Sequence, residues 1–396
     1  MERFHNIYHL PHTRQDYLSV FYIVATLRTF AISMLGLFFP IFLYDLLTAD
    51  GYSQQSAFIL VGLTFLMLYF TYMNSVIIVN RLIAKIGIRS GFIIGQILFV
   101  LFIIFSRMTT NYDYLLLSFS LWGLAASFWW ISYHNYFLDI GTVKQYGSQL
   151  GLLAFLGIAA SVAAPLVGGL VISIGGYISM FLVAIAIVML TILLLVFSEK
   201  NVKMHAVYLK DVIREIKAHK RDFLGFVGAG GEEALYSVAW PLLLHVVLKD
   251  ILEVGIFSTI IVFLSAFTAI YVGKLSDRLP RKKLQKLGSG IVGLSWLGKM
   301  FVQHTSGLFL LEFFYRSSEN LLRIPLDAIS FTHAIAERKG HSERQSQYVV
   351  FREVGISIGN ILGMGAFIGF VILGFPFTSV FFIGALFALL TLVVRE

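Results

Sequence analysis

The chain contains no cysteine, only seven prolines among its 396 residues, and just 13% charged residues. The first absence excludes disulfides, thiolate metal sites and cysteine nucleophiles together. The scarcity of charge argues against a soluble globular domain, in which about a quarter of residues are charged. A helical His-Glu-x-x-His pair, a Gly-x-Ser-x-Gly elbow and a Gly-x4-Gly-Lys-Ser/Thr phosphate loop are missing too, so nothing supports hydrolase or ATPase chemistry. No catalytic residue, metal or cofactor is expected. What is there is apolar: 58% hydrophobic residues, with 37 Phe and 18 Tyr, and a mean hydropathy of +0.83. This is the composition of an integral membrane protein. The formal charge of +8 would suggest nucleic acid in a soluble chain. Here loop orientation explains it, and no nucleic-acid partner is expected.

A bilayer core needs roughly 20 apolar residues per helix. Twelve runs qualify, near 17–46, 55–79, 90–106, 112–137, 148–173, 176–197, 222–248, 254–273, 286–303, 306–334, 346–373 and 376–394. The polar start, MERFHNIYHLPHTRQDY, leads into a full-length span with no short cleavable apolar region, so the first helix is expected to stay. The charged segment 199–221 divides the chain into six-span units, 1–198 and 222–396. All basic residues except Arg28, Arg107, Lys249, Lys299, Arg316, Arg323 and Arg352 fall in termini or loops on one side. The positive-inside rule therefore places both termini and segment 199–221 in the cytoplasm. Within that segment Val207, Leu209, Val212, Ile213 and Ile216 share a face, the pattern of an amphipathic helix lying along the inner leaflet or of a linker tethering two halves.

The loops after the second and eighth spans are alike. The earlier reads NRLIAKIGIRSGFIIG (80–95) and the later GKLSDRLPRKKLQKLGSG (273–290). A six-span internal repeat is a transporter signature, with the substrate site expected between the halves near mid-membrane. The later loop resembles motif A of the major facilitator superfamily at Gly273, Asp277, Arg278 and the Arg281–Lys282–Lys283 cluster, with Pro280 where the family's second Gly belongs. Lys85, Gly87 and Arg89 keep part of that pattern in the earlier loop, while Asn80 and Ala84 replace its Gly and Asp. The stretch AAPLVGGLVISIGGY (163–177) resembles the family's span-5 Gly-Pro-x-x-Gly-Gly element, with Ala164 replacing the first Gly. The family's span-4 Arg-x-x-Gln-Gly element is absent. The resemblance implies an all-α fold of 12 transmembrane helices in two pseudo-symmetric six-helix bundles. It also implies a cytoplasmic gate at Lys85, Arg89, Gly273, Asp277, Arg278, Arg281 and Lys282, and a cavity lined by spans 1, 4, 7 and 10. The span-5 element favours export.

Charge inside a membrane costs at least about 2.5–3.5 kcal/mol per residue at the helix centre, so it normally faces a bundle interior or an aqueous cavity. Here it is uneven. Span 1 has Arg28 and span 7 has Glu232 and Glu233, while span 10 has Glu312, Arg316, Glu319, Arg323 and Asp327. Span 11 has Arg352 and Glu353, suited to a gate or a structural ion pair. Lys299 is placed near the outer end of span 9, where it can snorkel. The span-10 charges follow helical spacing and form one alternating stripe. It suits either a substrate or proton role or mutual neutralisation. Arg28 and Glu232 each lie about ten residues into their spans, ~15 Å at 1.5 Å per residue. An Arg–Glu interaction across the cavity is therefore expected, directly or through substrate. Adjacent helical residues diverge by about 100°, so Glu232 and Glu233 should do different jobs. Neighbouring carboxylates disfavour double ionisation, a requirement for proton coupling. Gly225, Gly228, Gly230, Gly231 and Pro241 suit either a broken, mobile span 7 or close helix packing. Tyr236, Trp240 and Trp130 are candidate cavity walls, and His134 a structural hydrogen-bonder.

The expected function is secondary active transport of a small organic solute by alternating access, coupled to protons through Glu232, Glu233 or Glu319, in the plasma membrane. Solute, protons and membrane lipids are its expected partners, and a monomer its expected state. A lipid flippase and a non-transporting scaffold or sensor on the same fold are the alternatives. A membrane enzyme would need an embedded nucleophile or metal cluster, and none is found.

Overall fold

A computed structural model describes residues 14–108, 112–140, 146–197, 204–276, 278–302, 304–337 and 342–394. All regular structure among them is helical. The order is α1 (Arg14–Ala49), α2 (Gln54–Ile86), α3 (Ile88–Met108), α4 (Tyr112–Ile140), α5 (Tyr146–Val196) and α6 (Leu209–Ala218). There follow α7 (Lys220–Leu248), α8 (Ile251–Ser276), α9 (Arg281–Lys299), α10 (Thr305–Glu337), α11 (Ser342–Ile372) and α12 (Val380–Leu390).

Seven helices, α1 to α5, α8 and α11, are long and apolar enough to cross a membrane by length and composition. At 51 residues α5 is long enough to cross twice, and Gly176 breaks it with φ 69° and ψ −178°. A positive φ of this kind is open to glycine at little cost. The two arms run oppositely. In the first, Gly168 packs on Phe38 and Met34 of α1. In the second, Phe181 packs on Phe39 with ring centroids 5.5 Å apart, Thr191 accepts from Gln96 at 2.5 Å, and the Val196 carbonyl accepts from Arg89. The α5 arms thus supply two of the twelve spans. The helices outside the apolar seven are α7, α9, α10, the short α12 and the polar α6. Three of these, α7, α9 and α10, carry most of the intramembrane charge.

Helices α1 to α5 form one six-span bundle and α7 to α12 the other. The bundles meet along two seams, α2 against α11 and α5 against α8, with α1 and α7 between them. Glycine sets the closeness of these contacts. Gly169 lies against Gly255, whose missing side chain leaves room for the Pro165 carbonyl. Along α7, a Cβ at Gly230 would strike the Ile356 carbonyl, and one at Gly228 would strike the Phe387 carbonyl. Helix α7 is continuous through residues 225–241, so its glycines serve packing in this conformation rather than a break. Helix α6 splits its expected single face. Val207 and Val212 are buried against the bundle, while Leu209 and Ile213 remain exposed.

Candidate functional site

The two adjacent carboxylates of α7 have opposite fates. Glu232 is fully buried within the C-terminal bundle. It accepts from Trp296 Nε1 of α9 at 3.0 Å, from the Tyr315 hydroxyl of α10, and from Arg323 Nη2 at 2.9 Å. Glu233 turns outward, with its side chain 59% exposed and Arg323 Nη1 at 3.7 Å. It shares a face with Ser237, one turn on, and Ser237 bonds Tyr69 of α2 across the bundle interface at 2.9 Å. Glu233 therefore faces the space between the bundles.

Behind Glu232 runs a network of buried charge. Lys299 is completely buried, with Nζ 2.6 Å from Glu312 Oε2. Four rings surround that ammonium, with centroids at 5.3 Å for Tyr236, 4.3 Å for Trp240, 5.0 Å for Trp296 and 4.0 Å for Tyr315. Lys299 thus does not snorkel. The carboxylate and the negative ring faces replace its water. Glu312 also accepts from the Tyr236 hydroxyl at 2.5 Å and lies 3.4 Å from Arg316 Nε. Arg316 donates to Glu319 at 3.1 Å and stands over the Tyr236 ring at 4.5 Å. The α10 stripe is thus internally paired through Glu319. Arg323 then crosses to α7, where it also donates to the Ala229 carbonyl at 3.1 Å. Tyr236 and Trp240, expected as cavity walls, build this network instead.

Arg316, Glu319 and Asn320 do reach open space. With Gly157, Ile158 and Ser161 of α5 and Val262, Ser265, Ala266 and Ala269 of α8, they line a cavity of about 300 Å³. Its wall carries a paired charge, an amide and two hydroxyls, and it lies between α5 of one bundle and α8 and α10 of the other.

Arg28 takes no part. Only 2% exposed, its guanidinium lies over Trp129 at 4.1 Å and Phe99 at 5.3 Å, inside the N-terminal bundle. Among the described residues, its Nε and Nη1 have no hydrogen-bond partner. The expected interaction with Glu232 is not made, because both side chains point into their own bundles.

Two polar latches span the interface. At the end bearing the basic loops, Glu353 of α11 accepts from Arg352 Nη1 at 2.7 Å and from the Tyr72 hydroxyl of α2. His134 Nε2 of α4 is 3.3 Å from the same carboxylate. His134 stacks on Trp130, which is 40% exposed. Ser346 donates to Asn135 at 2.8 Å, and Arg214 of α6 to Gln347 at 2.7 Å. At the far end, Asp45 of α1 lies 2.8 Å from His245 Nε2 of α7 and accepts from Tyr177 at 2.8 Å. Of the expected gate residues, Lys85 and Arg278 are exposed. Arg89 holds the Val196 carbonyl, and Lys282 holds the carbonyls of Leu392 and Val394. Gly273 ends α8 near its last turn, and Arg281 opens α9. Asp277 lies outside the described residues, and so do the side-chain surroundings of Asp327.

Sequence reasoning missed the Asp45–His245 latch and the partners of Glu232. The depth argument applied to Arg28 and Glu232 finds the former, since Asp45 and His245 both lie one turn from the far ends of α1 and α7. Trp296 and Tyr315 have no comparable signal among so many aromatics.

The profile of the Major Facilitator Superfamily matches residues 21–316, and the chain belongs to that family. Its fold is similar to that of the D-xylose-proton symporter, with TM-score 0.72 and 12% identity over 94% of this chain and 96% of that one. It is also similar to the human organic anion transporter MFSD10 (TETRAN), at 0.70 and 12% over 96% and 99%. The E. coli fucose:proton symporter FucP aligns at 0.65 and 15% over 96% and 98%. No curated protein sequence matches the chain. The chain is therefore a multi-pass membrane protein of a transporter family.

Proposed function

We propose that the protein is a proton-coupled secondary transporter of a small organic solute, with Glu233 as the coupling carboxylate and both termini in the cytoplasm of a plasma-membrane protein. The observation that carries this reading is the pair Glu232 and Glu233. One carboxylate is bound on every side and fixes the C-terminal bundle, while its neighbour faces the space between bundles with one loose partner. A carboxylate in such a place can gain and lose a proton as the cavity changes access. The ~300 Å³ cavity suits a small solute. The latches at opposite ends supply contacts that alternating access would break in turn. Two of the structural neighbours are proton symporters by name, which supports coupling. The span-5 glycine element favours export.

The test is proton movement in proteoliposomes under an imposed pH gradient, followed with an internal pH dye while solutes are added. Glu233→Gln should abolish solute-dependent proton movement. Undiminished coupling in that variant would remove Glu233 from the mechanism.

A further inference from the structure

Each cation of the membrane interior, among the described residues, is sealed or engaged. Lys299 is enclosed by four rings and Glu312. Arg316 lies between Glu312 and Glu319, and Arg323 is held by Glu232 and the Ala229 carbonyl. Arg352 is bound to Glu353. Arg28 is stacked behind Trp129 and only 2% exposed. The carboxylates differ. Glu232, Glu312, Glu319 and Glu353 each accept at least one hydrogen bond at 3.1 Å or less. Glu233 has only the 3.7 Å approach of Arg323, whose other nitrogen is committed to Glu232. Among the described residues, an anionic solute would therefore find no uncommitted counter-charge between the bundles, and would carry its own desolvation cost. A cationic solute would find one.

We infer that the solute carries a positive charge, as a protonated amine or quaternary ammonium, and that Glu233, on the face of α7 that turns toward α2, is its counter-charge. The inference rests on the transport reading above. The ~300 Å³ cavity between α5, α8 and α10, whose lining does not include Glu233, also suits such a solute. The paired Arg316 and Glu319 add no net field, and Ser161, Ser265 and Asn320 offer hydrogen bonds. Ile158, Val262, Ala266 and Ala269 receive its apolar part. Glu233 then holds either a proton or the solute cation, not both. Binding of one expels the other, and the two cross the membrane in opposite directions. The charged and titratable groups around Glu233 are Arg323 and Glu319 of α10, Arg352 of α11, Tyr69 and Tyr72 of α2, and Glu232 beside it. Protonation of Glu233 removes the counter-charge, so exchange depends on pH.

The experiment compares four probes at equal ionic strength on the purified full-length protein, by thermal unfolding and by titration in weak buffer. Tetraethylammonium and cyclohexylamine are the cations, propionate the anion and xylitol the neutral polyol. Tetraethylammonium cannot lose a proton, so any pH dependence belongs to the protein. The expected result is stabilisation by the cations alone, with a proton released on binding. The apparent Kd should weaken about tenfold per pH unit on the acidic limb, as competition with one proton requires. Glu233→Gln should lose the cation response, and Glu233→Asp should keep part of it. Binding of propionate or xylitol in place of the cations overturns the inference and leaves proton coupling standing, since that is read separately in proteoliposomes. Cation binding that survives Glu233→Gln with its pH dependence intact overturns it too, as does silence from both cations.

Discussion

The two bundles handle charge in opposite ways. The N-terminal bundle seals one mid-membrane charge, Arg28, against aromatic faces and otherwise packs rings such as Phe39, Phe102, Phe119 and Trp122. The C-terminal bundle ties Lys299, Glu312, Arg316 and Glu319 into one run of ion pairs and Glu232 with Arg323 into another, and Trp296 and Tyr315 join the two through α7, α9 and α10. The difference teaches where rigidity and chemistry reside. A lone charge on rings holds nothing else in place. A network of bonded charges fixes three helices and leaves one carboxylate, Glu233, aimed outward by the geometry of its neighbour.

The largest break in this contrast should come at Lys299. Lys299→Met removes the closest cation of buried Glu312, leaving it only Arg316 at 3.4 Å, and removing one partner of a buried pair typically costs about 3–5 kcal/mol. Thermal unfolding in detergent should show a large loss for Lys299→Met. Adding Glu312→Met should recover most of it, because the pair then disappears together. Equal loss in single and double variants would show that the aromatic cage, rather than the ion pair, carries the stability.

Next in size is the pair on α7. Glu232→Gln keeps the shape but removes the charge that Arg323 requires, for a loss of about 1–3 kcal/mol. Glu233→Gln should leave the unfolding temperature nearly unchanged while abolishing proton-coupled transport. Stability and activity are thus expected to separate between neighbouring residues. A stability loss at position 233 as large as that at 232 would deny the outward placement.

How much of this was readable beforehand follows from which forces are local. Span positions and the repeat depend on apolar runs and loop charge, so they could be read directly. So could the spacing of Glu312, Arg316 and Glu319, because a helix sets those neighbours. The divergence of Glu232 and Glu233 followed from the 100° step, although not which faced inward. That choice depends on Trp296 and Tyr315, which come from other helices and carry no periodic mark. Lys299 misled because depth near a span end suggests snorkelling, whereas four rings converging from α7, α9 and α10 make burial the better solution. Arg28 misled for the converse reason. Matched depth suggested a partner across the interface, and Trp129 on α4 offered a nearer surface.

The latches allow a finer comparison between the two ends. The protein has no cysteine, so Ser161→Cys places a single reporter on the cavity wall. Replacing His245 by Phe removes the far latch, worth about 0.5–1.5 kcal/mol. It should raise labelling of that cysteine by a membrane-impermeant reagent applied to the far side. Replacing His134 by Phe should raise labelling from the basic side instead. Increases on the same side for both would contradict the assignment of the two latches to opposite ends.

The smallest effect is expected at Arg28, and it tests the contrast from the other direction. Arg28→Met removes the stacking on Trp129 and Phe99, worth about 0.5–2 kcal/mol. It also removes two buried nitrogens that have no partner among the described residues, each of which costs about 1–3 kcal/mol to desolvate. These contributions oppose, and no carboxylate is left stranded. The net change in unfolding temperature should therefore be near zero or slightly positive, against the large loss at Lys299. The two basic residues are equally buried, so burial alone predicts similar costs. A loss at Arg28 comparable to that at Lys299 would mean that the guanidinium is compensated by an anion in the folded protein, and the N-terminal bundle would then hold a charge pair of its own.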